Sequence, residues 1–131
     1  MRTLIVEDDF TSRLLLQTFL AGYGECHVAM NGKEAVETFR ISQQSGAAYD
    51  LICMDIMMPE MDGQAAVLKI REMEESAGVM STTGAKIIMI TALDDVKNVV
   101  KSFKALCDAY IFKPVDTAKL LEQLKSLALV A

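Results

Sequence analysis

Five short runs of apolar, β-prone residues punctuate the chain, and each is followed by a segment in which apolar residues recur at helical spacing. The runs are Thr3–Val6 (TLIV), Glu25–Met30 (ECHVAM), Leu51–Met54 (LICM), Lys86–Ile90 (KIIMI) and Ala109–Phe112 (AYIF). The helical segments are Thr11–Ala21, Lys33–Ser45, Gly63–Glu75, Val96–Leu106 and Thr117–Leu127. In Lys33–Ser45, for example, Ala35, Val36, Phe39 and Arg40 recur at helical spacing. Strand followed by helix, repeated five times, implies an α/β fold: a five-stranded parallel sheet with helices on both faces. Asn31-Gly32 is also a hairpin turn signal, but no alternating strand follows it.

At 131 residues the chain has the length of one domain, and it shows no internal repeat or linker. The polar, turn-rich segments Ser42–Ala48 and Glu74–Gly84 read as surface loops. The whole of 1–131 is therefore expected to be a single domain. A net charge of -5 weighs against nucleic acid and against anionic lipid as partners. No apolar run approaches the ~18 residues a membrane span needs. Cys26, Cys53 and Cys107 are too scattered for a disulfide framework, which points to the cytoplasm.

In a parallel sheet every strand ends at the same edge, and ligand sites form outside those carboxyl ends. The residues that follow the runs carry the chemistry. Glu7, Asp8 and Asp9 follow LIV, Asp55 follows LICM, Thr91 follows KIIMI, and Lys113 follows AYIF. Carboxylates gathered on one rim must protonate, bind a cation or avoid each other. A set of oxygen donors without His or Cys suits a hard ion, Mg²⁺ or Mn²⁺. A lysine and a hydroxyl beside it suit phosphoryl transfer onto a carboxylate, here Asp55. Asp9 has a plainer role open to it, as the cap of the following helix.

The pieces LIVEDD (Leu4–Asp9), MDIMMPEMDG (Met54–Gly63), ITA (Ile90–Ala92) and YIFKP (Tyr110–Pro114), in that order, resemble a response-regulator receiver domain over essentially the whole chain. The resemblance implies a flavodoxin-like doubly wound sheet of strand order 2-1-3-4-5 with five helices. It implies Asp55 as phosphoacceptor in two-component phosphorelay signalling. It implies Glu7 and Asp8 as the metal pair, with Asp8 a direct Mg²⁺ ligand and Asp9 the fallback. Arg13 follows that pair at the family's interval. The backbone carbonyl of Met57 completes the expected ligand set. Thr91 and Tyr110 correspond to the switch residues, Lys113 to the phosphate-binding lysine, and Lys113-Pro114 to a cis peptide. Gly63 allows the PEMDG turn to run close to the site.

Met57 and Leu93 lie two residues past Asp55 and Thr91, where receivers tune the lifetime of the phosphoryl group. Both are apolar and offer no hydrogen bond to an attacking water. The expected partners are a histidine kinase or histidine phosphotransfer protein as donor. A separate downstream effector or a second copy of the chain would read the signal. No output domain is expected. The weighed alternatives are a Mg²⁺-dependent phosphatase with an aspartyl nucleophile and an unphosphorylated docking module. The phosphatase would want a second acid where Met57 stands, and the docking module would be expected to lack the acids, Thr91 or Lys113.

Overall fold

A computed structural model of the chain describes residues 1–56, 63–80, 83–92 and 106–131. Its strands are β1 (Thr3–Val6), β2 (Cys26–Ala29), β3 (Leu51–Asp55), β4 (Lys86–Thr91) and β5 (Ala109–Phe112). The described α-helices are α1 (Phe10–Leu20), α2 (Gly32–Gln44), α3 (Gly63–Ser76) and α4 (Thr117–Ser126). A short 3₁₀ turn over Ala21–Tyr23 follows α1. The strands form one parallel sheet of order β2-β1-β3-β4-β5, as the resemblance implies. The helix expected over Val96–Leu106 falls largely outside the described residues.

Alternation along the strands splits the apolar side chains between the two faces. On one face Leu4, Val6, Ile52, Met54, Ile87 and Met89 pack with Phe39 of α2 and Val67 and Ile70 of α3. On the other, Ile5, Cys53, Ile88, Ile90 and Ile111 pack with Leu16 and Leu20 of α1 and Leu120 and Leu124 of α4. Each fully buried Leu or Ile contributes roughly 1.5–3 kcal/mol relative to an exposed one, so a sheet covered on both faces holds the framework. Arg40 shares its spacing with the buried stripe of α2 but is exposed, pairing with Glu37 one turn earlier.

Helix starts are set by side-chain caps. Asn31 accepts from the Glu34 amide at 2.8 Å and Asp116 from the Ala118 amide at 2.8 Å. Asn31-Gly32 therefore opens α2 rather than turning a hairpin. Of the two segments read as loops, Ser42–Gln44 continues α2 and Glu74–Ser76 continues α3. Glu74 is only 4% exposed, which its charge alone would not suggest. Among the described residues no helix is long and apolar enough to cross a membrane.

Candidate functional site

Parallel order and register carry the ends of β1, β3, β4 and β5 to one edge of the sheet. Glu7 follows β1, its amide donating to the Ala29 carbonyl at 3.2 Å, and it is 0% exposed. Asp55 closes β3 and is buried. Asp8 is exposed. Carboxylate oxygens of Glu7, Asp8 and Asp55 lie within 4.8 Å of one another. Asp9 is not one of that cluster. Its carboxylate caps α1, accepting from the Ser12 amide at 2.9 Å, and that bond holds its pKa below the ordinary value. The plainer reading of Asp9 is the one its geometry fits.

Lys113, one residue past β5, reaches back across the rim. Its Nζ donates to Glu7 Oε1 at 3.1 Å and to Asp55 Oδ2 at 3.4 Å. Partial burial opposes its charge, but Asp55 and Glu7 prevail and the ammonium's pKa lies above its usual value. Glu7 Oε1 also accepts from the Asp9 amide at 3.0 Å. Glu7 Oε2 is buried with no hydrogen-bond partner.

Among the described residues, Glu7 and Asp55 thus share the Lys113 ammonium, with the Asp8 carboxylate close beside them. Two like charges ~5 Å apart repel by roughly 3 kcal/mol at an effective dielectric of 20. The crowding and the orphaned oxygen fit a cation-binding site. Oxygen-only donors fit Mg²⁺ or Mn²⁺. Met57, whose carbonyl was expected to complete the set, lies outside the described residues, as does Leu93.

Thr91 ends β4, is buried, and donates its hydroxyl to the Ala92 carbonyl at 3.2 Å. Met89, two residues earlier, is the register partner of Tyr110, so Thr91 and Tyr110 share a face of the sheet. The Tyr110 hydroxyl is buried without a well-formed hydrogen bond, and the Cys107 thiol is the polar group beside it. Burial pushes that hydroxyl's pKa far up. The Lys113-Pro114 peptide is cis. Gly63, the first residue of α3, donates its amide to the Ile56 carbonyl at 2.9 Å. A Cβ there would collide with the Asp55 carbonyl oxygen and lie 2.9 Å from Ile56 Cα. Only glycine lets α3 start this close to the end of β3.

Sequence reasoning missed a polar network at the opposite edge of the sheet. Arg71 donates to Glu74 at 2.6 Å, to the Ala85 carbonyl at 2.9 Å, to the Leu106 carbonyl at 2.9 Å and to Asp108 at 3.1 Å. Glu74 is its i,i+3 neighbour on α3, but the other partners lie 14 to 37 positions away, and nothing local marks them.

Comparison with known proteins gives the site its context. Chemotaxis protein CheY of Thermotoga maritima is 32% identical over 129 residues, covering 97% of this chain and 97% of that protein. Hybrid signal transduction histidine kinase B of Dictyostelium discoideum is 36% identical over 129 residues, covering 94% of this chain but only 6% of that protein. Among solved structures, the Saccharomyces cerevisiae receiver domain of Ssk1, co-crystallised with the histidine phosphotransfer signaling protein Ypd1, matches with TM-score 0.80 at 28% identity, covering 97% of this chain and 88% of that one. The response regulator receiver domain family matches residues 3–125. The chain therefore belongs to the response regulator receiver domain family, the phosphoacceptor module of two-component signalling.

Proposed function

We propose that this chain, a single receiver domain over 1–131, accepts a phosphoryl group on Asp55 in a Mg²⁺-dependent step and switches a partner-binding surface in response. The observation that carries the reading is Lys113 lying between Glu7 and Asp55 at the rim where three carboxylates converge. Glu7, Asp8, Asp55 and the Met57 backbone would hold Mg²⁺ or Mn²⁺. The bound ion would supply charge neutralisation for the phosphoryl oxygens.

The Asp55 carboxylate attacks the phosphorus of a phosphohistidine. The new O–P bond forms as the N–P bond breaks, and the imidazole leaves. The product carries a charge of about -1.5 to -2 where a carboxylate stood. Lys113, already within 3.4 Å of Asp55, moves onto a phosphoryl oxygen. Thr91 exchanges the Ala92 carbonyl for another phosphoryl oxygen. Tyr110, on the same face, responds to that shift, and the surface formed by β5, α4 and the helix expected over Val96–Leu106 changes its affinity for a partner. A histidine kinase or histidine phosphotransfer protein is the donor, in keeping with the complex in which the Ssk1 receiver was solved. The reader is a separate effector protein or a second copy of the chain.

The test is intact mass after treatment with acetyl phosphate and Mg²⁺. Wild type is expected to gain an adduct of ~80 Da that is lost in Asp55→Asn and when Mg²⁺ is chelated. An adduct that persists in Asp55→Asn overturns the assignment.

A further inference from the structure

Arg13 has no place in the phosphoryl chemistry above, yet it stands directly behind the acidic rim. Its Nη1 is shared between two backbone carbonyls, Glu7 O and Asp8 O, each at 3.4 Å. Its guanidinium lies over the Phe10 ring, 5.5 Å from the centroid. Phe10 is 65% exposed, so burial does not account for its position on α1. The ring offers its face to that cation.

The carboxylates of the rim differ in how they are held. Glu7 is fixed by Lys113 and the Asp9 amide. Asp55 sits at the end of a central strand. Asp8 is exposed, and among the described residues its carboxylate has no hydrogen-bond or ion-pair partner. Its direction is therefore set by its backbone. On one side that backbone is fixed by the Glu7 and Asp9 amides. On the other, Arg13 is the described side chain that holds the Asp8 carbonyl.

We infer that Arg13 is a positioning residue for the cation site: it pins the Glu7–Asp8 backbone so that Asp8 faces Glu7 and Asp55. The inference rests on reading the rim as a divalent-cation site. It makes a prediction opposite in sign to simple electrostatics. Arg13 is a positive charge beside a site for a positive ion, so if charge were its whole effect, removing it would tighten cation binding. If it positions Asp8, removing it weakens binding.

The experiment is Mn²⁺ binding to the full chain, followed by the loss of the free Mn²⁺ signal in electron paramagnetic resonance, with Mg²⁺ as competitor. Arg13→Met is expected to weaken Mn²⁺ binding about tenfold, the range found when a group orienting a ligand is removed. Arg13→Lys keeps the charge but not the planar donor shared by two carbonyls, and is expected to weaken binding about threefold on the same scale. Circular dichroism reports whether each variant is folded, and Arg13→Lys carries the test should Arg13→Met not fold. Unchanged or tighter binding in folded Arg13→Met, or wild-type binding in Arg13→Lys, overturns the inference. Asp8→Asn separates the two levels: loss of binding there supports the cation site whatever Arg13 does, whereas wild-type binding in Asp8→Asn overturns the reading on which the inference rests.

Discussion

Where the strands begin, charge is answered locally. Arg71 is matched by Glu74, Asp108 and two carbonyls, while Glu74 and Asp108 also accept the Ala85 and Ile87 amides, each at 2.8 Å. Before β2, at the other end of the strand order, Glu25 holds both Arg2 and His27, and His27 shares a hydrogen bond with Tyr49 at 2.6 Å. Where the strands end, carboxylates converge. Glu7, Asp8 and Asp55 have Lys113 among them, and Glu7 Oε2 is buried without a partner. Among the described residues, the same sheet thus carries one edge where Glu25, Glu74 and Asp108 each meet a cation, although Arg2 Nε and Thr3 Oγ1 are buried there without a partner, and one where three carboxylates converge. Satisfied buried networks hold a fold together, whereas carboxylates crowded on one rim favour a bound cation.

The comparison breaks most visibly at Arg71. Removing it leaves the Glu74 carboxylate buried and uncompensated, so Arg71→Met is expected to lower unfolding free energy in urea by about 3–5 kcal/mol. Adding Glu74→Gln removes the stranded charge while keeping an acceptor for the Ala85 amide, and about 1 kcal/mol or more should return. A loss below about 1 kcal/mol in Arg71→Met would mean that the network contributes no more than an exposed pair.

At the opposite edge, neutralising an acid has the opposite sign. Asp8→Asn relieves repulsion of up to roughly 3 kcal/mol per pair, discounted because Asp8 is exposed. The metal-free variant is expected to be about 1 kcal/mol more stable than wild type in chelator. Wild type should gain about 1.4 kcal/mol at a Mg²⁺ concentration tenfold above its dissociation constant, and the variant almost none. Equal denaturation curves with and without Mg²⁺ for both proteins would put the two edges on the same footing.

The smallest effect expected is at Glu25. The His27 hydrogen bond, then Arg2, lowers its pKa in the folded chain below 4.5, the ordinary value. A carboxylate with a depressed folded pKa stabilises the protein above the unfolded pKa, and the contribution is lost as pH falls through the folded one. Wild type should therefore exceed Glu25→Gln slightly in stability at pH 7, and the gap should close as pH drops below 4.5. A gap that stays constant down to acid pH would assign the effect to packing instead.

These edges were not equally legible in the sequence. The rim was, because parallel topology sends each strand's next residue to one place, and Glu7, Asp55, Thr91 and Lys113 each stand directly after an apolar run. Choosing Glu7 and Asp8 over Asp9 needed the family resemblance, since three acids in a row have no periodicity of their own. The Arg71 network was illegible because its members lie up to 37 positions apart and Glu74 sits in a segment polar enough to read as a loop. Element ends moved by a residue or so: Asp55 and Thr91 close β3 and β4 rather than following them, and α1 starts at Phe10. Caps and ladder bonds settle such ends, and periodicity does not.

The account stands on Asp55 as the acceptor at the acidic edge. Its most direct test is chemical trapping. Protein treated with acetyl phosphate and Mg²⁺ is reduced with borohydride, which converts an aspartyl phosphate to homoserine, and the chain is digested and sequenced by mass spectrometry. Conversion is expected at residue 55, dependent on Mg²⁺ and absent at residues 7, 8 and 9. Conversion at Asp8 or Asp9, or at no aspartate despite a phosphorylated chain, would contradict it.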